Sequence, residues 1–159
     1  MDQKRWVFLF FVFIPLLALW SCVTTGPGPD TITPEQLPGI SGIEWQLTEL
    51  VVDGESRDLI PEARVTLNID PEGKVSGLAS INRYFGGFTM DSKGGITWPA
   101  HGFGATRMAG PPELMDQETA FLNALASTTG VYEDKSSLVF SDETGTLRLV
   151  FKKIKKTVP

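Results

Sequence analysis

Two stretches alternate apolar and polar residues so regularly that the chain has to be built largely from antiparallel sheet. In "IEWQLTELVV", Ile43, Trp45 and Leu47 alternate with Glu44, Gln46 and Thr48, the period of a strand with one buried face. "ARVTLNI" repeats the pattern through Val65, Leu67 and Ile69, and Pro71-Glu72-Gly73 then turns the chain onto "KVSGLA", a hairpin signal. Further strands are expected at about 84–90, 95–98, 138–141 and 147–151, with turns at Asp53-Gly54, Gly94-Gly95, Asp134-Lys135 and Thr144-Gly145.

One segment has a different period. In "PPELMDQETAFLNALAS", Leu114, Met115, Phe121, Leu122 and Leu125 recur at helical spacing. Pro112 suits a first turn, Glu113 and Asp116 suit the positive end of the helix dipole, and Gly130 lies just past the finish. The expectation is an α+β fold: a curved, mostly antiparallel, barrel-like sheet packed on one amphipathic helix of about four turns.

The N-terminus reads as an export signal. After Lys4-Arg5, residues Trp6 to Trp20 are apolar apart from Pro15, and Ser21 and Cys22 follow, the basic, greasy and small order of a secretory leader. The run falls short of the roughly 20 apolar residues that span a bilayer. Its end, "LALWSC", resembles a bacterial lipobox, with Leu19 and Ser21 in place and a bulkier Trp20 between them. That resemblance implies cleavage before Cys22 and acylation of its sulfur with a palmitate-class fatty acid; an incidental cysteine in an uncleaved signal is the alternative. Cys22 is the only cysteine, so it has no partner within the chain. The expected organisation is a lipoprotein signal peptide at 1–21, a lipidated Cys22 with a flexible Pro-Gly-Thr linker through 22–39, one domain at 40–152 and a basic tail at 153–159.

Charge narrows the partners. The chain carries a net charge of −5, and losing Asp2, Lys4 and Arg5 with the leader makes it one unit more negative. A nucleic-acid binder would show a basic face, and none is expected here. The single cluster, "KKIKK" at 152–156, is a solvated terminus or a weak attraction for anionic lipid head groups.

Catalytic equipment is scarce. His101 is the only histidine, and nucleophilic chemistry needs a base and an orienting group beside the nucleophile. Ser76 or Ser80 with His101 is the remote hydrolase option, and a zinc site lacks ligands. No enzyme, no cofactor and no metal is expected. The middle stretch "SGLASINRYFGGF" fits architecture better: Gly77, Gly86 and Gly87 permit bulges or positive φ where a sheet bends, and Asn82 can bond exposed backbone there. Thr106, Arg107, Gln117 and Glu118 could meet near Asn82 as a polar cluster; an Arg107–Glu118 pair is the preferred contact, with solvated side chains as the other option.

Taken in order, "IEWQLTEL", "VSGLASINRYFGGF", "ITWPAHGFGATRMAGPPELMDQETAFLNAL" and "LVFSDETGTLRLVF" resemble the META domain, or HslJ-like heat-shock, family over about residues 40–151. The specific parts are the Gly-Asn-aromatic loop, "TRMA" before a proline, and Gln117-Glu118 on the next helix. The resemblance implies a small α+β domain, often lipid-anchored or secreted, with no established reaction and a stress-related role. Two positions depart from the family: Ile81 and Gly110 stand where members commonly carry cysteines. If those cysteines pair, both halves are missing here together.

Two function classes follow. The first is a non-catalytic module exported and lipid-anchored through Cys22 to the cell or outer membrane, facing the periplasm or exterior, that engages an envelope protein. Val23 rather than Asp after Cys22 resembles outer-membrane-directed lipoproteins. The second is a small-molecule domain with an apolar pocket lined by Trp45, Trp98, Phe103 and Phe121. A filled core favours the first, a sizeable apolar cavity the second.

Overall fold

A computed structural model describes residues 30–154; the leader, Cys22 and the last lysines lie outside them. The chain opens with β1 (Asp30–Thr31) and a single helical turn, α1 (Leu37–Ile40). β2 (Trp45–Val52) and β3 (Glu55–Arg57) form a hairpin, and β4 (Thr66–Ile69), β5 (Lys74–Ala79) and β6 (Asn82–Gly87) a meander. β7 (Thr89–Met90) pairs with β8 (Ile96–Thr97), and β9 (Gly104–Ala105) returns to β6. α2 (Pro112–Ala126) then leads into β10 (Gly130–Asp134), β11 (Ser137–Ser141) and β12 (Arg148–Lys153).

The main sheet runs β1-β10-β11-β12-β2-β4-β5-β6-β9, with β3 added to β2, and every pairing is antiparallel. The α+β expectation holds, but the sheet curves without closing: β1 and β9 are its two ends. α2 lies inside the curve against β5 and β12. Trp45, Leu50, Leu67, Phe121, Leu125, Phe140 and Phe151 fill the space between them.

Local rules explain most of the strands. In β2 the strict alternation stops after Leu47, because Leu47 faces Phe151 while Glu49 faces Val150. Thr48 is the extra residue of a β-bulge, and its hydroxyl donates to the Val150 carbonyl at 3.2 Å. The bulge resets the pleat, so Leu47 and Leu50, three apart, both face the core. Asp53 and Gly54 both have positive φ and join two strands directly, the requirement of a type I′ turn.

The sheet bends between β4 and β5, and Gly77 makes the bend possible. A Cβ there would sit 2.0 Å from the Thr66 carbonyl oxygen and 2.9 Å from the Tyr84 ring. Close approach, rather than the positive φ or bulge expected of it, is why glycine occupies the position. The ladder gives way to side chains at the same place: the Leu78 N–H donates to Thr66 Oγ1 and the Tyr84 hydroxyl to the Thr66 carbonyl at 2.9 Å. Burial pushes the Tyr84 phenol well above its ordinary range, so it stays a neutral donor.

Two expected boundaries need correction. Residues 30–39, read as part of a flexible linker, belong to the domain: Asp30 and Thr31 pair with β10, and Ile32 and Leu37 are buried in the core. At the other end β12 continues through Lys153, Lys153 packs its cation over the Trp45 ring, and the Ile154 N–H donates to Glu44. The helix also ends earlier than Gly130 suggested. It stops at Ala126, Thr128 Oγ1 donates to the Leu125 carbonyl, and Gly130 opens β10.

Candidate functional site

β5 and β6 are joined by only two residues, Ser80 and Ile81, since Ala79 pairs with Asn82. Ser80 has φ +77°, a strained choice at a position that suits glycine. This tight turn delivers Asn82, 1% exposed, to the inner end of β6, where it meets α2 and the segment after β9.

The Asn82 carboxamide uses its full bonding capacity. Oδ1 accepts from the Met108 N–H and the Thr106 hydroxyl, each at 2.8 Å. Nδ2 donates to the Met108 carbonyl at 3.2 Å and to Glu118 Oε1 at 2.9 Å. Both main-chain groups of Met108 are thus bonded by one side chain, as a neighbouring strand would bond them. Glu118, buried on α2, accepts on Oε2 from the N–H groups of Asn82 at 2.8 Å and Ile81 at 3.4 Å. Gln117 donates to the Ser80 hydroxyl at 2.8 Å and accepts from the Ile60 N–H at 2.7 Å.

Asn82, Thr106, Gln117 and Glu118 therefore come together as the sequence suggested, and Arg107 does not. Arg107 is exposed and makes no ion pair among the described residues. The expected Arg107–Glu118 contact is replaced by three N–H donors to the carboxylate, which satisfies it without burying a guanidinium. The buried face of α2 accordingly includes Gln117 and Glu118 beside Phe121, Ala124 and Leu125, while Leu114, Met115 and Leu122 are only half-buried. Sequence reasoning missed Ser80 as a bonding partner; its place at a glycine-like turn position was the available signal.

Reciprocal aromatic-glycine contacts join β6 and β9. A Cβ on Gly104 would lie 2.4 Å from the Phe85 ring, and one on Gly86 would lie 2.6 Å from the Phe103 ring. Each ring covers bare backbone of the other strand, Phe85 from outside and Phe103 from the core side. That explains Gly86 of "YFGGF" and Gly104 of "GFGA" without any ligand.

The predicted aromatic pocket is occupied by its own side chains. Trp45 and Phe121 are fully buried; Trp98 packs edge-on to Phe103 at 5.1 Å and to Phe88 at 5.2 Å, and Phe121 to Tyr84 at 5.4 Å. A cleft of about 650 Å³ lies elsewhere, between the outer side of α2, the β2–β3 turn and the β11–β12 turn. Asp53, Arg57, Asp116 and Asp142 rim it over a floor that includes Ala120 and Leu147. Asp142 is committed to the turn: it accepts from the hydroxyls of Thr144 and Thr146 and from the Leu147 N–H at 3.0 Å.

Those bonds, the Thr144 hydroxyl first, hold the Asp142 carboxyl down at about 2. A lowered folded-state value gives stability that is present above the unfolded value near 4 and is lost as pH falls towards 2. Asp142→Asn is therefore expected to flatten the acid side of the stability curve. Thermal melts from about pH 5 to about pH 2.5 should show a shallower loss in the variant than in the parent chain; parallel curves would contradict the assignment.

His101 is exposed on a turn, and no group of three or more His, Cys, Asp or Glu side chains placed to hold a metal occurs among the described residues. No helix among them is long and apolar enough to cross a membrane.

Fold and site together define an open, curved α+β domain whose buried Asn82 cluster braces a sheet edge. The chain belongs to the META domain family, whose model matches residues 38–155. Among solved structures it is similar to the NMR structure of a protein from Burkholderia xenovorans, at 24% identity and a TM-score of 0.61, covering 82% of this chain and 94% of that one. A second NMR structure matches at 22% identity and a TM-score of 0.51, over 76% and 94% of the two chains. The crystal structure of a duf4847 family protein from Bacteroides vulgatus matches at 11% identity and a TM-score of 0.50, over 74% and 96%. At these identities the likeness is one of fold. No curated protein matches the chain.

Proposed function

We propose that this META domain is a non-catalytic interaction module of the cell envelope, held at a membrane by acylated Cys22. The observation that carries the non-catalytic part is the closure of the Asn82 cluster. Every buried side-chain nitrogen and oxygen among the described residues has a partner, and the members of the Asn82 cluster bond to each other and to nearby backbone. A site that activates substrate leaves a polar group aimed at open space; this cluster spends its groups on the fold. The lipobox-like "LWSC" and the Pro-Gly-rich stretch after it support the tether. Tethering raises the local concentration of the domain for envelope neighbours, so weak contacts become occupied.

The test uses cells that lack the protein. The parent chain should incorporate labelled palmitate and restore the deletion phenotype, and Cys22→Ala should lose both. Rescue by an exported but unlabelled Cys22→Ala chain would reject the tether. Turnover of an ester, peptide or glycoside panel that disappears with His101→Ala would reject the non-catalytic reading.

A further inference from the structure

The Asn82 brace has a curious object: it holds a segment that is otherwise outside the sheet. Ala105 pairs with Tyr84, and the Thr106 N–H donates to the Arg83 carbonyl at 3.0 Å. In an antiparallel ladder this marks Ala105 and Tyr84 as a non-hydrogen-bonded pair. The N–H and C=O of Ala105 therefore point away from β6, into the open edge. Beyond Ala105 the Thr106 hydroxyl accepts from the Arg83 N–H at 3.1 Å, and Asn82 takes both main-chain groups of Met108. Residues 104–108 are thus fixed from one side only and end the sheet.

Three further observations converge there. Phe85 at 64% and Met108 at 55% are the large hydrophobic side chains left exposed among the described residues, and both belong to this edge. Arg83 and Arg107 are exposed beside them and make no ion pair among the described residues, in a chain whose net charge is −5. A groove of about 430 Å³ runs over the neighbouring face of β4, β5 and β6, from Glu44 and Arg64, which pair with each other, past Leu78, and meets this edge at Arg83 and Phe85. Free strand edges are normally blunted, because they invite pairing; this one carries apolar side chains and is held in place.

We propose that residues 104–108 are a docking edge for an extended segment of another protein, added as a further β-strand. The inference rests on the interaction reading above and names the partner's chemistry. Main-chain bonds to the free edge give affinity, apolar side chains of the segment cover Phe85 and Met108, and carboxylates face Arg83 and Arg107. The net negative charge elsewhere on the domain discourages acidic chains from other surfaces and so directs them to this edge.

The probes are two fluorescein-labelled heptapeptides that share alternating Val and Phe and carry Glu or Lys between them, titrated against the full-length protein in mild detergent. The Glu peptide should bind about tenfold or more tightly than the Lys peptide at low salt, and added salt should narrow the gap. Arg83→Glu with Arg107→Glu should reverse the preference, Met108→Ser should weaken both peptides, and N-methylation of alternate peptide bonds should abolish binding. Both arginines and the Met108 side chain are exposed, and Asn82 bonds only the main chain of Met108, so melting temperatures near that of the parent chain are expected for these variants. Equal affinity for the two peptides, no binding of either, an unchanged preference in the double variant, or a tight N-methylated ligand would overturn the proposal. Self-association of the parent chain that Arg107→Glu removes would assign the edge to a second copy and overturn it equally. The assay reads the purified protein and is independent of the rescue in cells, so either result can fail alone.

Discussion

Replacing Asn82 with Ala should destabilise the domain by about 3–5 kcal/mol, the range for removing one member of a buried, charge-containing network, and so lower its melting temperature by roughly 15 °C. The size follows from what is left behind. Glu118 Oε1 and the Met108 carbonyl lose a donor, and the Met108 N–H and the Thr106 hydroxyl lose their acceptor. A buried group that loses its partner costs more than the bond itself contributed. The loss should be local as well as global: amide exchange at Met108 should accelerate more than at Leu149 in β12, since the 106–108 segment has no other strand to hold it. Pairing the change with Glu118→Gln in a double-mutant cycle isolates the contact. A coupling indistinguishable from zero, or a variant that melts like the parent chain, would show that the brace is incidental.

The parts of this fold that follow from period and turn chemistry are legible in the sequence. β5, β11, most of β2 and α2 announce themselves by spacing, and Asp53-Gly54 and Thr144-Gly145 by backbone preference. What stayed hidden depends on distant partners. β9 is two residues long and exists because Phe85 and Phe103 cover glycines across the pair; no window of sequence contains that reciprocity. β1 lies in a Pro-Gly-Thr stretch that composition assigns to linker, yet Ile32 finds a core to enter. Bulged β2 breaks its own alternation for a reason written in β12. The candidate site divides along the same line. Residue type nominates Asn82, Thr106, Gln117 and Glu118, which the structure brings to one place, while the choice of donor for Glu118 turns on the cost of burying a guanidinium, which local sequence does not encode. Arg107 was drawn to Glu118 by charge alone, and the structure leaves it at the edge.

A disulfide between positions 81 and 110 should stabilise the chain, although neither residue is a cysteine. A Cβ built on Gly110 would stand 2.8 Å from Cγ1 and 3.0 Å from Cδ1 of Ile81. The two positions at which family resemblance suggested absent cysteines are therefore in contact, and the Ile81 side chain fills the space over Gly110. Ile81 Cγ1 is one bond from its own Cβ, so the two Cβ positions come within reach of a bridge, which needs about 3.5–4.5 Å between them. Ile81→Cys with Gly110→Cys should thus oxidise readily, and the closed loop of 29 intervening steps should contribute about 3–4 kcal/mol by constraining the unfolded chain. The bridge would also tie the tight Ser80-Ile81 turn to the segment that follows Met108, the same two elements that Asn82 joins. It should therefore rescue much of the loss caused by Asn82→Ala in the oxidised protein and none of it after reduction. Melts of the triple variant with and without reductant, beside free-thiol titration that also counts Cys22, read this directly. A bridge that forms without raising the melting temperature would mean that the unfolded chain is already held compact there; two thiols that stay reduced under air would contradict the contact itself.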